Sequence, residues 1–479
     1  MKSKSPDTLL LQWQPPSDAG EPVGCLATTF TFDPGFFEEQ CLSRFLRLDS
    51  LPERGGLAYL LERESRLGTV TASVLVDRSY AGVDHAMRWD VLPVHIPGGV
   101  QHAKVCVLAW SELIRIIISS ANLTEQAYRR NFESVSVFDA RSDSREADVF
   151  DDCIGFISSL MTYTIGHDSD HPAVSRATSF LESVSDMLRG WSSSKQKRNG
   201  IQVSFAATLP QDKTTGNGQS SLEAAMQFVR KAGNSPASAF VASPFWDDAP
   251  SSDGTDLVVE LSGKMGRGVT RTLHINVPAL NDEKPASKLG APRHLYEVSC
   301  ERFHRTTVAT LPLRDPDGNF RPWHAKMLRF EQQGYHAVMI GSSNFTRAGM
   351  GVGNTRNAEA NVVYLVSKDA APVTIGKLLG VWPELDAVSD PDSVDWCGAY
   401  QLPGMENGDT PPTEIAMLPL GFVTAVFRSG QSSELHLRFR SSRLPDEWSI
   451  FSGDEFSDML YGNALHDVEI GRASCRERV

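Results

Sequence analysis

The sequence predicts an α/β protein built as two similar α/β/α sandwich lobes, with a small β-rich appendage on the C-terminal side. Three observations carry that expectation. A chain of 479 residues exceeds what one ordinary core serves, so two or three domains are expected. Apolar runs of strand length alternate with helical patterns, and the alternation is played through twice. A compact motif also occurs twice. His102-Ala103-Lys104 is followed by Ser119-Ser120-Ala121-Asn122-Leu123-Thr124, and His324-Ala325-Lys326 by Gly341-Ser342-Ser343-Asn344-Phe345-Thr346. The step from His to Asn is 20 residues in both copies, and the copies lie 222 residues apart.

After an N-terminal tail over 1–21, the first lobe is expected over 22–190. Residues 24–32 read as strand, 34–48 as helix, and 70–76 and 89–96 as strands. A strand is expected from 102 to 110, where His102 and Lys104, two apart, share a face. The Ile-dense run 113–118 is the next strand. Asn122 falls in the turn after it, where it can cap the following helix. A strand over 135–138 and a helix over 148–163 follow. Residues 191–200, rich in Ser, Lys and Asn, read as a linker. The second lobe, 201–389, repeats the plan. Strands are expected at 201–207, 239–242, 273–277, 337–340 and 361–366, and helices at 221–231 and 374–381. Residues 390–468 form a β-rich C-terminal region, with β patterns at 415–428 and 434–440. Residues 469–479 resemble translated sequencing-adapter read-through, are expected to be artificial, and take no part in the functional reading.

The hydrophobic and charged fractions are ordinary, and the formal charge is −13. That balance excludes a protein coated in basic surface but not a local basic cleft. The seven cysteines are scattered, without the spacing of a zinc site, and read as free thiols in a reducing compartment. No stretch has the length and apolarity of a signal peptide or a membrane span, so a soluble intracellular protein without membrane insertion is expected.

The duplicated motif places two His, two Lys and two Asn at matched offsets. A pair of histidines divides naturally into nucleophile and general acid, because each titrates at about 6.5 when unperturbed. Two ammonium groups and two carboxamides supply positive charge and N–H donors. That set suits a transition state with negative charge spread over phosphoryl oxygens, without a metal. A catalytic imidazole also needs its second ring nitrogen held. Glu133 and Glu359, each just before an apolar β run, are the expected partners, one per histidine. Trp323 and the stretch from Phe245 to Asp248 are candidates either to line a cleft or to pack in the core.

The duplicated His-x-Lys with Ser-x-Asn resembles the phospholipase D superfamily. Most members carry an aspartate five positions after the lysine, where this chain has Ala109 and Glu331. An absent aspartate, with Asn and then Glu or Gln downstream, is similar to the tyrosyl-DNA phosphodiesterase branch. The branch's DNA-stacking aromatic lies four residues before the first His, where this chain has Gly98. The resemblance implies that His102 is the nucleophile and that a phosphohistidine intermediate forms on it. It implies that His324 protonates the leaving oxygen and then activates water. Lys104, Lys326, Asn122 and Asn344 would hold the phosphate oxygens, and Glu133 and Glu359 would stand behind the histidines. The implied activity is metal-independent phosphodiester hydrolysis without a cofactor. The implied substrate is a single-stranded DNA 3′ end bearing a tyrosyl peptide or small adduct, handled by a monomer. Its rivals are another superfamily hydrolase, acting on nucleic acid or phospholipid, and an inactive nucleic-acid-binding scaffold.

Overall fold

The computed structural model describes residues 9–398, except 51, 82–87, 143–146, 168–170, 192–199, 211–217, 250–253 and 282–285. Beyond 398 it describes the strands Phe422–Arg428, Glu434–Phe439, Ser449–Ser452, Asp458–Gly462 and Ala473–Ser474. Residues 192–199 of the expected linker, the N-terminal tail up to residue 8 and most of the 390–479 region therefore lie outside the described residues.

The first lobe is a six-stranded sheet of β1 (Pro22–Thr29), β2 (Thr71–Asp77), β3 (Asp90–Val94), β4 (Val105–Trp110), β5 (Leu113–Ser119) and β6 (Val135–Ala140), in the order β3-β2-β1-β4-β5-β6. The second lobe carries β7 (Ile201–Thr208), β8 (Ser238–Ala242), β9 (Thr272–Pro278), β10 (Lys288–Leu289), β11 (Arg305–Leu311), β12 (Lys326–Gln332), β13 (Tyr335–Gly341), β14 (Glu359–Ser367), β15 (Asp386–Ala387) and β16 (Asp395–Trp396). Eight of these form one sheet in the order β15-β11-β9-β8-β12-β13-β14-β7, while β10 pairs with β16.

The sheets superpose strand for strand in plan. In the first lobe β1 is parallel to β2 and antiparallel to β4, and β4, β5 and β6 run antiparallel in turn. In the second, β8 is parallel to β9 and antiparallel to β12, and β12, β13 and β14 run antiparallel in turn. The duplication seen in the motif thus extends to six strands of each lobe.

Helices cover both faces of the first sheet. Ala147–Met161 and Pro172–Gly190 bury Phe150, Ile157, Phe180 and Val184 against Leu26, Val107 and Ile116. Short helical segments around Phe37 and Phe45 cover the other face at Trp110, Leu108 and Val74. In the second lobe Ser221–Ala232, Leu257–Lys264 and Arg293–Arg302 cover one face. The first core is not self-contained. Phe205 and Ala207 of β7 and Ala360 and Val362 of β14 belong to the same buried cluster as Phe138 and Phe156. The lobes share a core, so their relative position is set by packing rather than by a tether.

Several expectations are corrected. The strand after the first motif begins at Val105, not at His102, because the segment before it pairs with the other lobe instead of with β1. The helices Pro52–Leu67, Pro172–Gly190, Leu257–Lys264 and Arg293–Arg302 and the strand β11 were not expected, although Pro172–Gly190 buries Val174, Ala177, Leu181, Val184 and Leu188 at helical spacing. The β patterns expected at 415–428 and 434–440 coincide with Phe422–Arg428 and Glu434–Phe439, which pair antiparallel.

Candidate active site

Both His-x-Lys segments leave their own lobe to meet the other. Gln101, just before His102, bridges to Ala358, and Trp323, just before His324, bridges to Phe132. His102 N donates to Ala358 O at 3.0 Å and His324 N to Phe132 O at 2.9 Å. Ala358 N donates back to Val100 O and Phe132 N to Pro322 O, at 2.9 and 2.8 Å. Ala358 and Phe132 immediately precede Glu359 and Glu133. The backbone bridges therefore carry each histidine to the glutamate of the opposite lobe. The approach is close at Gly99, where a Cβ would lie 2.2 Å from Arg356 O, so no larger residue fits that turn.

The side chains complete the crossed arrangement. His102 Nδ1 lies 2.9 Å from Glu359 Oε2, and His324 Nδ1 lies 2.8 Å from Glu133 Oε1. Each carboxylate is fixed by its own lobe. Ser342 Oγ donates to Glu359 Oε2 at 2.5 Å and Asn357 Nδ2 to Glu359 Oε1 at 3.1 Å. Ser120 Oγ donates to Glu133 Oε2, and Asn131 Nδ2 to Glu133 Oε1 at 3.1 Å. His102, Lys104, His324, Lys326 and Glu359 are each at most 5 % exposed. Burying ionic groups to this depth costs several kcal/mol apiece unless they are paired, and the crossed contacts supply pairing.

A carboxylate on Nδ1 makes that nitrogen the N–H donor and leaves the lone pair on Nε2. In His102, Nε2 makes no hydrogen bond among the described residues. Burial holds the His102 pKa below its usual value; Glu359 opposes that shift, and the Lys104 and Lys326 charges add to it. His102 is thus neutral at pH 7, with an available lone pair. Glu133 is buried, which raises a carboxyl pKa, but His324, Lys326 and the Ser120 hydroxyl outweigh burial and hold it below the usual range. Lys326 Nζ lies 2.8 Å from His324 Nε2, whereas Lys104 Nζ donates to His102 O at 2.7 Å.

Asn122 is not the helix cap the sequence reading expected. Thr124 caps the following helix by accepting from Ala127 N at 3.3 Å, and Thr346 does the same for Gly349 N at 3.1 Å. Asn122 Oδ1 instead accepts from Phe30 N at 3.3 Å, which ties the turn to the end of β1. Asn344 Oδ1 is buried without a hydrogen-bond partner among the described residues. Gly341 lies so close to β14 that a Cβ would sit 2.4 Å from Ala360 O, whereas the first copy has Ser119 at this place.

The two His–Glu pairs thus occupy equivalent settings at the inter-lobe bridges, while the lysines and asparagines of the two copies differ in their partners. Aromatic rings flank both histidines: Phe30 at 5.5 Å from the His102 ring and Phe245 at 6.3 Å from the His324 ring. Of the stretch from Phe245 to Asp248, Phe245 therefore lies beside His324, while Trp246 packs on Phe345. Trp323 packs on Phe132, and its Nε1 donates to Ala325 O at 2.8 Å. Ala109, where an aspartate was absent, is fully buried among apolar side chains. Among the described residues no cluster of three His, Cys, Asp or Glu could hold a metal ion, and no helix is long and apolar enough to cross a membrane. Cys25, Cys41, Cys106 and Cys153 are free and buried, and Cys300 and Cys397 free and exposed.

Two duplicated signals went unread in the sequence. Arg130-Asn131-Phe132-Glu133 matches Arg356-Asn357-Ala358-Glu359, and its Asn is the carboxylate's partner in both halves. Thr29 and Ser243, at the ends of β1 and β8, also correspond. Thr29 Oγ1 accepts from Leu123 N at 3.0 Å and Ser243 Oγ from Phe345 N at 3.1 Å. Each is followed four residues on by an aspartate, Asp33 or Asp247.

No family model matches the sequence, and no curated protein matches it. Solved structures do resemble it. Yeast tyrosyl-DNA phosphodiesterase is 11 % identical at a TM-score of 0.45, covering 73 % of this chain and 84 % of that one. Phosphatidylserine synthase of Haemophilus influenzae Rd KW20 is 14 % identical at 0.42, covering 79 % and 84 %. Polyphosphate kinase from Porphyromonas gingivalis is 12 % identical at 0.33, covering 78 % and 44 %.

Proposed function

We propose that the protein is a metal-independent phosphodiesterase working through a covalent phosphohistidine. The crossed His–Glu pairs carry this reading, together with the unbonded Nε2 of His102. A neutral imidazole held at Nδ1 by a buried carboxylate, with its other nitrogen open, has the form of a nucleophile. In the first step His102 Nε2 attacks phosphorus, the bond to the leaving oxygen breaks, and His324 gives that oxygen a proton from its own Nε2. At rest Lys326 Nζ occupies His324 Nε2. A phosphate draws the ammonium to its oxygens and frees the ring nitrogen to take up a proton from solvent, which the second step restores in each later cycle, with Glu133 stabilising the imidazolium. In the second step His324 takes a proton from water, the hydroxyl attacks phosphorus, and the bond to His102 breaks. Lys104, Lys326, Asn122 and Asn344 stabilise the phosphoryl oxygens in both transition states.

The motif's resemblance to the tyrosyl-DNA phosphodiesterase branch supports a substrate within this reading: a DNA 3′ end carrying a tyrosyl or similar adduct, released in repair. The test is a His324→Asn variant incubated with a 3′-phosphotyrosyl oligonucleotide. A stable mass shift localised to His102 is expected, because release of the intermediate needs His324. Absence of any adduct, with substrate bound, overturns the two-step mechanism.

A further inference from the structure

We infer that a basic recess on the His324 side is an anion subsite for the leaving group, so that the preferred substrate carries a second negative charge beyond the scissile phosphate on that side. The inference rests on the reading of His324 as the acid. The recess, about 390 Å³, lies between the helix Glu125–Arg129 and the segment leading into His324, and is lined by Arg129, Arg130, Arg321 and Phe320. Pro322, two residues before His324, also lines it. Gln126, in the same wall, donates to Asn131 Oδ1 at 3.1 Å, and Asn131 donates to the Glu133 that holds His324.

The two halves of the molecule differ here at one equivalent position. Arg356 precedes Asn357 as Arg130 precedes Asn131. Arg356 donates Nε to Gly353 O at 3.2 Å and Nη1 to Gln219 O at 3.0 Å, so its guanidinium is built into the structure. The Arg130 side chain is exposed and makes no hydrogen bond or ion pair among the described residues. Arg129 has a solvent-facing counter-charge in Glu125 at 3.3 Å, of the kind an incoming anion displaces cheaply, whereas Arg321 lies 3.7 Å from Asp315, a carboxylate on the recess wall that accepts from Asp317 N and Asn319 N, so Arg130 is the guanidinium left to take the anion. The segment before His324 also forms a hairpin, with Arg314 bridged to Phe320, whose ring is 41 % exposed beside the arginines. The corresponding segment before His102, residues 95–101, contains neither arginine nor lysine. In a chain of net charge −13, three guanidiniums and an exposed ring gathered around the segment that leads into His324 are a directional feature.

The experiment compares leaving groups that all depart through a tyrosyl phenol oxygen from one oligonucleotide 3′ phosphate: a neutral N-acetyltyrosine amide, an N-acetylated tyrosyl peptide ending in two glutamates, and an N-acetylated tyrosyl peptide amide ending in phosphoserine. The wild type should cleave the charged leaving groups with kcat/KM about tenfold above the neutral one. Arg130→Ala should remove most of that advantage and Arg130→Glu should reverse it, with turnover of the neutral substrate unchanged. A preference for the phosphate arm over the carboxylate arm, or the converse, identifies the source of the anion and supports the inference either way. Equal kcat/KM across the three, or an advantage that survives Arg130→Glu, overturns it while leaving the phosphodiesterase reading intact. Cleavage of none of the three by the wild type overturns both.

Discussion

The two half-sites share a backbone and differ in what each lysine touches. In both, a His segment crosses to the other lobe, a Ser and an Asn hold a glutamate, and the glutamate holds the opposite histidine. In the first, Lys104 reaches a backbone carbonyl and His102 Nε2 stays open; in the second, Lys326 reaches the His324 ring itself. Duplication can supply two identical imidazoles, but two-step phosphoryl transfer needs one that attacks and one that shuttles protons. On the proposed mechanism such a division needs no new residue types, and the lysine beside the His324 ring is the difference between the halves that would serve it.

Removing the histidines is the strongest way to break the comparison. His102→Ala should abolish turnover of a 3′-phosphotyrosyl oligonucleotide, a loss of at least about 10⁴-fold in kcat; residual turnover near wild type would move the nucleophile elsewhere. His324→Ala should allow one round of attack and then stall, so with substrate in excess a burst of about one tyrosine per enzyme without further turnover is expected. Chelation with EDTA should change neither step, because lysines and carboxamides are assigned the charge that a metal would otherwise balance.

The carboxylates sharpen the comparison at intermediate magnitude. Activity needs neutral His102, and the neutral form prevails above its pKa. Burial holds that pKa below 6.5, so the acid limb of kcat/KM should fall below pH 6.5. Glu359 pulls the His102 pKa upward, so Glu359→Gln should move this limb to still lower pH while lowering the plateau by about 10²-fold. Glu133→Gln should lower kcat similarly without moving the His102 limb. An identical shift in both variants would mean that the two carboxylates do not serve separate histidines.

Much of this site was legible before the fold was known, for a physical reason. Groups that act on one phosphate must recur at fixed offsets when the scaffold is duplicated, and His102, Lys104 and Asn122 do recur. The strands around them were legible because their apolar runs, such as 113–118, are dense. The crossing was not legible. Nothing in the spacing of Glu133 or Glu359 says which histidine it meets, since that depends on the backbone bridges at Ala358 and Phe132. The capping role went to Asn122 rather than Thr124 because both residue types cap well, and only the fold shows Asn122 engaged with Phe30 N. The paired Arg-Asn-x-Glu was visible in the sequence, but its Asn acquires meaning only once the glutamate is seen to need a second donor.

The smallest expected effect concerns those two asparagines. Asn131 Oδ1 receives Gln126 Nε2 from its own lobe, whereas Asn357 Oδ1 receives Val100 N from the other lobe at 3.2 Å. Asn131→Ala leaves a side-chain amide that can turn toward water. Asn357→Ala leaves a part-buried backbone N–H at the turn that carries His102, and such a donor has nowhere else to go. An unsatisfied buried donor costs about 1–3 kcal/mol, a replaced one much less. Asn357→Ala should therefore be less stable than Asn131→Ala by about 1 kcal/mol in urea unfolding, with both losing the Asn-to-Glu bond alike. Equal midpoints for the two variants would mean that the Val100–Asn357 bond adds nothing to the joint between the lobes, and that the shared core around Phe205 and Val362 holds the halves in register by itself.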